Sequence, residues 1–433
     1  MSNISKIATI ESLSHEGRGI AHEGGKTIFL DNALPGEEVE FIYTHRRSKF
    51  SSGIATRTLK PSKCRVAPIC IYYNQCGGCS FQHLSVIDQL NFKEKVFLEQ
   101  MKHVNGVVLE KVDRRITGPG TNYRNRARLS VKYVEKKQQL LIGFHEKNGR
   151  YVNDIEECSI LDSQIGRKLI ELRSVIRSLS ICKQIAQLEV ACGSEIIALV
   201  LRNLQPFSPD DLTLLESFSR EHIIEIYCQP GGLNTVTLVA GSNRKLSYSL
   251  FKHDIEIFFG PTDFIQTNSA INVQLVDLVV ELLDLNSSEK ILDLFCGIGN
   301  FTLPIAKRAN KVVGVEGVET AVIGAKKNAI YNGLTNVDFY HDDLSSDFWD
   351  QKEWVGTYDA VLLDPPRTGA EKICGKIEIF SAKKIIYVSC NLATLTRDTH
   401  ILLSKGYKIF FTSIADMYPH TKHLELVTVF VRC

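Results

Sequence analysis

Ile291-Leu-Asp-Leu-Phe-Cys-Gly-Ile-Gly-Asn300 decides the fold of this chain. A short apolar run enters a glycine-rich turn, and the residues from Phe301 to Arg308 continue as a helix. Strand, tight turn and helix in that order open the ligand crevice of an open α/β sheet. Gly297 and Gly299 let the backbone approach a bound nucleoside where side chains would collide with it. The next apolar run, Lys311-Val-Val-Gly-Val-Glu316, ends in an acid nineteen residues after Gly297, the spacing of a carboxylate that accepts both ribose hydroxyls. The third glycine of a dinucleotide turn is missing and no pyrophosphate site is provided, which favours S-adenosylmethionine.

Further strands follow downstream. Val337 to Tyr340 ends in His341-Asp342-Asp343, where an acid can reach an adenine edge. Tyr358 to Asp364 runs into Pro365-Pro366-Arg367, and Ile385 to Val388 stops at Ser389-Cys390-Asn391 before a helix-like segment. A hairpin of Tyr407–Ile414 with Leu424–Val431 closes the series. Five buried strands, intervening helices and a closing antiparallel pair predict a Rossmann-like class I methyltransferase sheet. Asn300, Glu316, Asp343, Asp364 and Cys390 then share its carboxyl edge, with Glu425 beside them once the hairpin closes.

That set suits one chemistry. Carbon 5 of a pyrimidine is too weak a nucleophile to attack a sulfonium methyl unaided. A thiolate added at carbon 6 makes the ring an enolate whose carbon 5 can attack. A base must then remove the carbon 5 proton before the thiol leaves. Cys390 and Glu425 fit those two roles, and Asp364 would orient the ring. Cys296, inside the glycine-rich turn, reads as a small buried side chain. Amino-group methylation is disfavoured, because its Asn/Asp-Pro-Pro-aromatic motif is not met by Arg367.

The upstream chain has another character. Residues Ile4 to Pro61 alternate in short runs punctuated by glycine and proline, a small all-β pattern compatible with a five-stranded Greek-key barrel. Leu34-Pro-Gly-Glu-Glu-Val39 resembles a turn of the TRAM domain, an RNA-binding, OB-like module. Next comes Cys70-x5-Cys76-Gly-Gly-Cys79, three thiols close enough to share a metal, with Cys64 or Cys158 as candidate fourth ligand. Spacing alone does not separate zinc from a [4Fe–4S] cluster. The residues from Ser85 to His103 predict a charged amphipathic helix. Helical stretches near Asp162–Leu179 and Ser208–Glu221 sit among strands, which predicts a mixed α/β middle domain.

Composition is ordinarily globular, with 44% hydrophobic and 23% charged residues in 433 and a net charge of +2. The distribution is less even. No acid lies from Phe41 to Ile87, where Arg46, Arg47, Lys49, Arg57, Lys60, Lys63 and Arg65 fall. None lies from Arg114 to Val134, where Tyr123-Arg-Asn-Arg-Ala-Arg128 is expected to turn arginines outward on one strand. Such clusters suit a polyanion. No secretion signal or membrane-length apolar run is seen, so a cytoplasmic protein is expected, with its twelve cysteines reduced.

With these motifs the chain resembles the bacterial uracil-C5 RNA methyltransferases, most closely the iron–sulfur-containing branch acting on 23S ribosomal RNA. The likeness runs from the TRAM-like start through Phe264-Ile-Gln-Thr-Asn268, the glycine turn, Asp364-Pro-Pro-Arg367 and Ser389-Cys-Asn391 to His420-Thr-Lys-His-Leu-Glu425. It implies Cys390 as nucleophile and Glu425 as base. It implies Gln266, Phe295, Asn300, Glu316, Asp343 and Asp364 as contacts of S-adenosylmethionine or the base, although Asp343 stands where asparagine is common. Cys70, Cys76, Cys79 and Cys158 would hold a [4Fe–4S] cluster, leaving Cys64 aside. The implied domains are a TRAM barrel (1–62), a central iron–sulfur domain (63–258) and a methyltransferase domain (259–433). A helix within 82–113 is expected to pack on the last of these. A monomer acting on a specific uridine of 23S ribosomal RNA, with no membrane association, is expected. The alternatives are another rRNA site, a tRNA, or a non-catalytic RNA-binding protein that senses redox state.

Overall fold

The computed structural model describes residues 5–147, 149–346 and 352–432. The chain divides into two compact units, Met1–Val96 with Tyr418–Lys422, and Phe97–Met417 with His423–Cys433.

In the first unit β1 (Lys6–Thr9), β2 (Ser12–Leu13), β3 (Gly19–Glu23), β4 (Lys26–Asp31), β5 (Glu38–Arg46) and β6 (Phe50–Lys60) pair in the order β1-β5-β6-β4-β3-β2. The expected barrel thus has six strands rather than five, the extra one being the two-residue β2, too short to show alternation. Inward residues, among them Ile10, Ile28, Leu30, Val39 and Phe41, make its core. Gly17, at φ +77°, is required twice over, since a Cβ there would also fall within 1.7 Å of the Phe81 ring. Glu37 is fully buried where the barrel ends. Burial alone would raise its pKa, but hydrogen bonds from Arg65 and from the Ser62 and Leu34 amides hold it below the usual carboxylate range. Arg65 is therefore structural. Arg46, Arg47, Lys49, Arg57, Lys60 and Lys63 of the same acid-free run are exposed. Helix α1 (Val86–Asn105) leaves this unit, and the boundary between the units falls within it.

The second unit contributes β7 (Arg114–Ile116) and then a mixed sheet of β8 (Arg126–Val134), β9 (Gln139–Gly143), β10 (Ile185–Cys192), β11 (Ile197–Asn203), β12 (Ile224–Cys228) and β13 (Thr237–Ala240), ordered β13-β12-β11-β10-β8-β9. Helices α2 (Ser163–Gly166), α3 (Leu169–Ser178) and α4 (Pro209–His222) accompany it. Helix α4 starts where the sequence signals it, with Ser208 and Asp211 forming a capping box around Pro209. A hairpin, β14 (Leu246–Leu250) with β15 (Ile255–Phe259), leads into α5 (Ser269–Leu283).

The catalytic sheet follows. Its strands are β16 (Lys290–Leu294), β17 (Lys311–Glu316), β18 (Val337–His341), β19 (Ala360–Leu363), β20 (Lys384–Ser389), β21 (Lys408–Ala415) and β22 (Glu425–Val431). Their order is β18-β17-β16-β19-β20-β22-β21, with β7 added beside β21. Strands β16 to β20 are parallel, β22 runs antiparallel between β20 and β21, and the central residues are almost all buried, as continuous apolar runs require. Helices α6 (Thr302–Ala306), α7 (Glu319–Tyr331), α8 (Glu371–Gly375) and α9 (Leu392–Ser404) connect them. The strand order reverses between β16 and β19, which is where such sheets open a ligand crevice. No helix among the described residues is long and apolar enough to cross a membrane.

Candidate active site

Two strands bring the expected nucleophile and base together. Strands β20 and β22 are antiparallel, and their last pair is Ser389 with Leu426. One step further along the same register, Cys390 stands across from Glu425. Cys390 is half-buried, whereas Glu425 is 2% exposed. The helix after Cys390 is started by Asn391, whose side-chain oxygen accepts from the Ala393 amide at 3.1 Å. The same side chain donates to the carbonyl of Arg367 at 2.8 Å, and Thr394 adds a second bond to it. Ser389-Cys390-Asn391 and Asp364-Pro-Pro-Arg367 are thus tied into one edge, and the helix start is of the kind that favours a thiolate.

Electrostatics opposes that ionisation at rest. Burial, then the carboxyls of Glu425 and Asp364, push the Cys390 thiol up to about 11, and Arg367 pulls the other way. Arg367 was given no role by the sequence; its charge opposes the rise of the Cys390 thiol. Glu425 is itself raised well above the carboxylate range by burial and by Asp364. Burial, with Asp293 and Glu316 nearby, raises Asp364 from 3.8 to about 8. A neutral Asp364 can donate to a ring oxygen as well as accept from a ring N–H.

Because its folded value is raised, Asp364 takes up a proton on folding between those two limits, and stability falls as pH rises through the window. Asp364→Asn, neutral throughout, should therefore raise Tm by a few degrees at pH 8 and leave it unchanged at pH 4. Calorimetry at the two values checks this, and an equal shift at both would refute it.

The crevice beside this edge is ready for an S-adenosyl group. Gly297 has φ +54° and open space where a Cβ would sit, so the backbone conformation is what demands glycine there. Gly299, at φ +98°, is demanded by its backbone as well, and a Cβ there would press within 2.9 Å of Leu303 in the following helix. Glu316 is held by the amides of Gly297 (3.0 Å) and Val318 (2.9 Å). Asn300 exchanges two 2.9 Å hydrogen bonds with Asn272 and accepts a third from Tyr248, partners the sequence did not announce. Phe295 takes φ +66° as the strand turns, a conformation found at sites where neighbours impose it. Asp293 is fully buried and raised to about 7, first by burial, with one oxygen on Thr302 and the other lacking a hydrogen-bond partner among the described residues. An orphaned acid, an open glycine and a fixed carboxylate suit a cationic nucleoside.

Gln266 is half-buried, two residues before Asn268, which caps α5. Asp343 is exposed and accepts from the amide and hydroxyl of its own Ser345, which holds it below its usual value. Cys296 is buried, its thiol pushed well up, as expected of a packing residue.

One expectation needs correction. The arginines of Tyr123–Arg128 do not all turn outward. Arg126 is largely buried, donates to the Pro261 carbonyl at 2.7 Å and lies 3.7 Å from Glu189, to which Arg128 is also bonded at 3.0 Å. Glu189 faces Arg128 from the neighbouring strand, a pairing no local pattern reveals. Cys70, Cys76 and Cys79 follow one another on a tight loop in which the Gly78 amide donates to the Cys76 sulfur at 3.4 Å. Yet among the described residues no three His, Cys, Asp or Glu side chains are grouped to hold a metal ion.

Sheet order, crevice and edge together define an S-adenosylmethionine-dependent methyltransferase. Residues 87–432 match the family described as tRNA (Uracil-5-)-methyltransferase, and residues 7–53 match the TRAM domain. The chain belongs to that family and is an RNA uracil-C5 methyltransferase. The 23S rRNA (uracil(1939)-C(5))-methyltransferase RlmD of Alkalilimnicola ehrlichii is 44% identical over 425 residues, which cover 98% of this chain and 96% of that protein. The protein of the same name from Francisella tularensis subsp. holarctica (strain OSU18) is 44% identical over 432 residues, with the same coverage. The crystal structure of Pyrococcus abyssi tRNA (uracil-54, C5)-methyltransferase, in complex with S-adenosyl-L-homocysteine, matches with a TM-score of 0.75 at 25% identity, over 98% of this chain and all of that one.

Proposed function

We propose that this enzyme methylates carbon 5 of a uridine in 23S ribosomal RNA, the position being the uracil 1939 that its relatives are named for, through a covalent bond between Cys390 and carbon 6. The juxtaposition of Cys390, Glu425 and Asp364 on one sheet edge carries the chemistry. Near-complete alignment with the 23S rRNA enzymes supports the substrate.

Bound S-adenosylmethionine supplies the electrophilic methyl group, and Gln266, Phe295, Asn300, Glu316 and Asp343 would hold it. Cys390 adds as thiolate to carbon 6, and the ring electrons move toward the carbonyl as carbon 5 becomes nucleophilic. Asp364 orients the ring, and the Arg367 cation eases formation of the thiolate. After methylation Glu425 takes the carbon 5 proton. The C–H electron pair restores the double bond, and the bond to sulfur breaks to return the thiolate. The exposed cations of the TRAM barrel would contact phosphate, which positions RNA without reading its bases. The division at 62 and 258 is proposed as one of labour, with the enzyme a cytoplasmic monomer.

A [4Fe–4S] cluster on Cys70, Cys76, Cys79 and Cys158 is proposed from their spacing and the resemblance, with a structural role, since the reaction transfers no electron. Anaerobically purified protein should then contain iron and acid-labile sulfide, and Cys76→Ser should lower both together with RNA affinity. If that variant kept full affinity, stability and activity, the role would be wrong. The main test is methyl transfer from labelled S-adenosylmethionine to 23S rRNA and tRNA, with 5-methyluridine mapped in each. Label on tRNA alone would move the substrate. Binding without any transfer would reject the enzyme reading.

A further inference from the structure

The connection between β21 and β22, which delivers Glu425, contains Tyr418–Lys422, and that segment packs within the first unit. Gln89 of α1, with no exposed surface, holds it there. The Gln89 side-chain oxygen accepts from the His420 amide at 2.8 Å. Its side-chain NH2 group, with two hydrogens, is shared among His420 Nδ1 (3.1 Å), the Phe81 carbonyl (3.1 Å) and the Leu84 carbonyl (2.8 Å). The His420 carbonyl accepts from the amides of Ser80 and Phe81 at 2.8 and 2.9 Å, directly after Cys79. Lys93 Nζ donates to the Tyr418 carbonyl at 3.3 Å. His420 itself sits at φ +64°, which a non-glycine residue keeps only where its surroundings impose it.

We infer that Gln89 is a positioning residue for the base, setting Glu425 through its grip on His420. The inference rests on the reading of Glu425 as the base. The connection is pinned at its ends by the pairing of Ala415 with Glu425 and in its middle by the Gln89 grip. Releasing the middle lets the approach to β22 wander, while Cys390, on another connection, stays in place. A general base works only within hydrogen-bond reach of its proton, and a displacement of about 1 Å can cost about 100-fold. A residue needed only for folding would slow every step of the surviving enzyme alike. A residue that aims the base slows proton removal and spares methyl transfer.

The test uses the full chain with 23S rRNA and labelled S-adenosylmethionine. Gln89→Ala should lower kcat by about 10- to 100-fold with KM for RNA and methyl donor within about twofold. Its single-turnover methyl transfer should keep the native rate, and a methyl-labelled RNA–protein adduct stable to SDS should build up. His420→Gly accepts the positive φ and keeps the backbone bonds while losing the ring contact, so it should show the same pattern more weakly; it decides the matter if Gln89→Ala does not fold. Loss of kcat and of single-turnover transfer in parallel, or no change in either, overturns the inference. Glu425→Gln is the control. Adduct in that variant but not in Gln89→Ala defeats the clamp alone. No adduct in Glu425→Gln, while native enzyme still binds 5-fluorouridine RNA covalently, defeats the base reading and the clamp with it.

Discussion

Cys390→Ala is expected to abolish methylation, by about four orders of magnitude or more, while RNA binding persists. Without a nucleophile at carbon 6 the pyrimidine has no enolate form, and no other group at the edge can create one. Cys296 cannot substitute, being 5% exposed and packed against Gly314. The sharpest measurement uses RNA carrying 5-fluorouridine. Native enzyme should add its sulfur and transfer the methyl; fluorine at carbon 5 cannot be removed as a proton, so the covalent complex should persist on a denaturing gel. The alanine variant should give no such band. Methyl transfer by Cys390→Ala would end the covalent mechanism outright.

Glu425→Gln should stop the reaction one step later. The amide keeps the shape of the side chain and loses its basicity, so methylated uridine stays bonded to Cys390. Turnover should fall by about 100- to 10,000-fold, with labelled adduct accumulating on natural RNA. A second readout has the opposite sign. Glu425 is one of the groups that push the Cys390 thiol upward. Removing its charge should lower that pKa and, at a pH high enough for the native Glu425 to be ionised, speed alkylation of Cys390 by iodoacetamide. Slower alkylation, or turnover without adduct, would take the base assignment away from Glu425.

What could be read from the amino-acid order was whatever one short stretch encodes. The five parallel strands are apolar runs ending in chemistry, and Gly297, Glu316, Asp364 and Cys390 each close one. The pairing of Cys390 with Glu425 followed from expecting a final hairpin, because antiparallel register fixes facing residues. Long-range pairings were hidden. Gln89 and His420 are 331 positions apart, and Glu189 pairs with two arginines of the neighbouring strand, more than sixty residues back in the chain. Strand β7 is three residues long, beginning with two arginines, and carries no periodicity to find. Tyr248 and Asn272 came to light beside Asn300 only because the hairpin and α5 place them there.

Strand β7 has a practical consequence for anyone dividing this gene. Arg114–Ile116 lies along the outer edge of β21, and the Asp113 carboxylate accepts from the Thr412 amide just beyond. A fragment begun at residue 259, where the glycine-turn domain starts by pattern alone, would leave that row of amides and carbonyls bare, close to the exposed Phe410 ring. Open edges of this sort template unwanted strand addition between molecules. A catalytic piece would need β7 with Asp113 and, for Gln89, all of α1 as well, carrying the middle sheet with them.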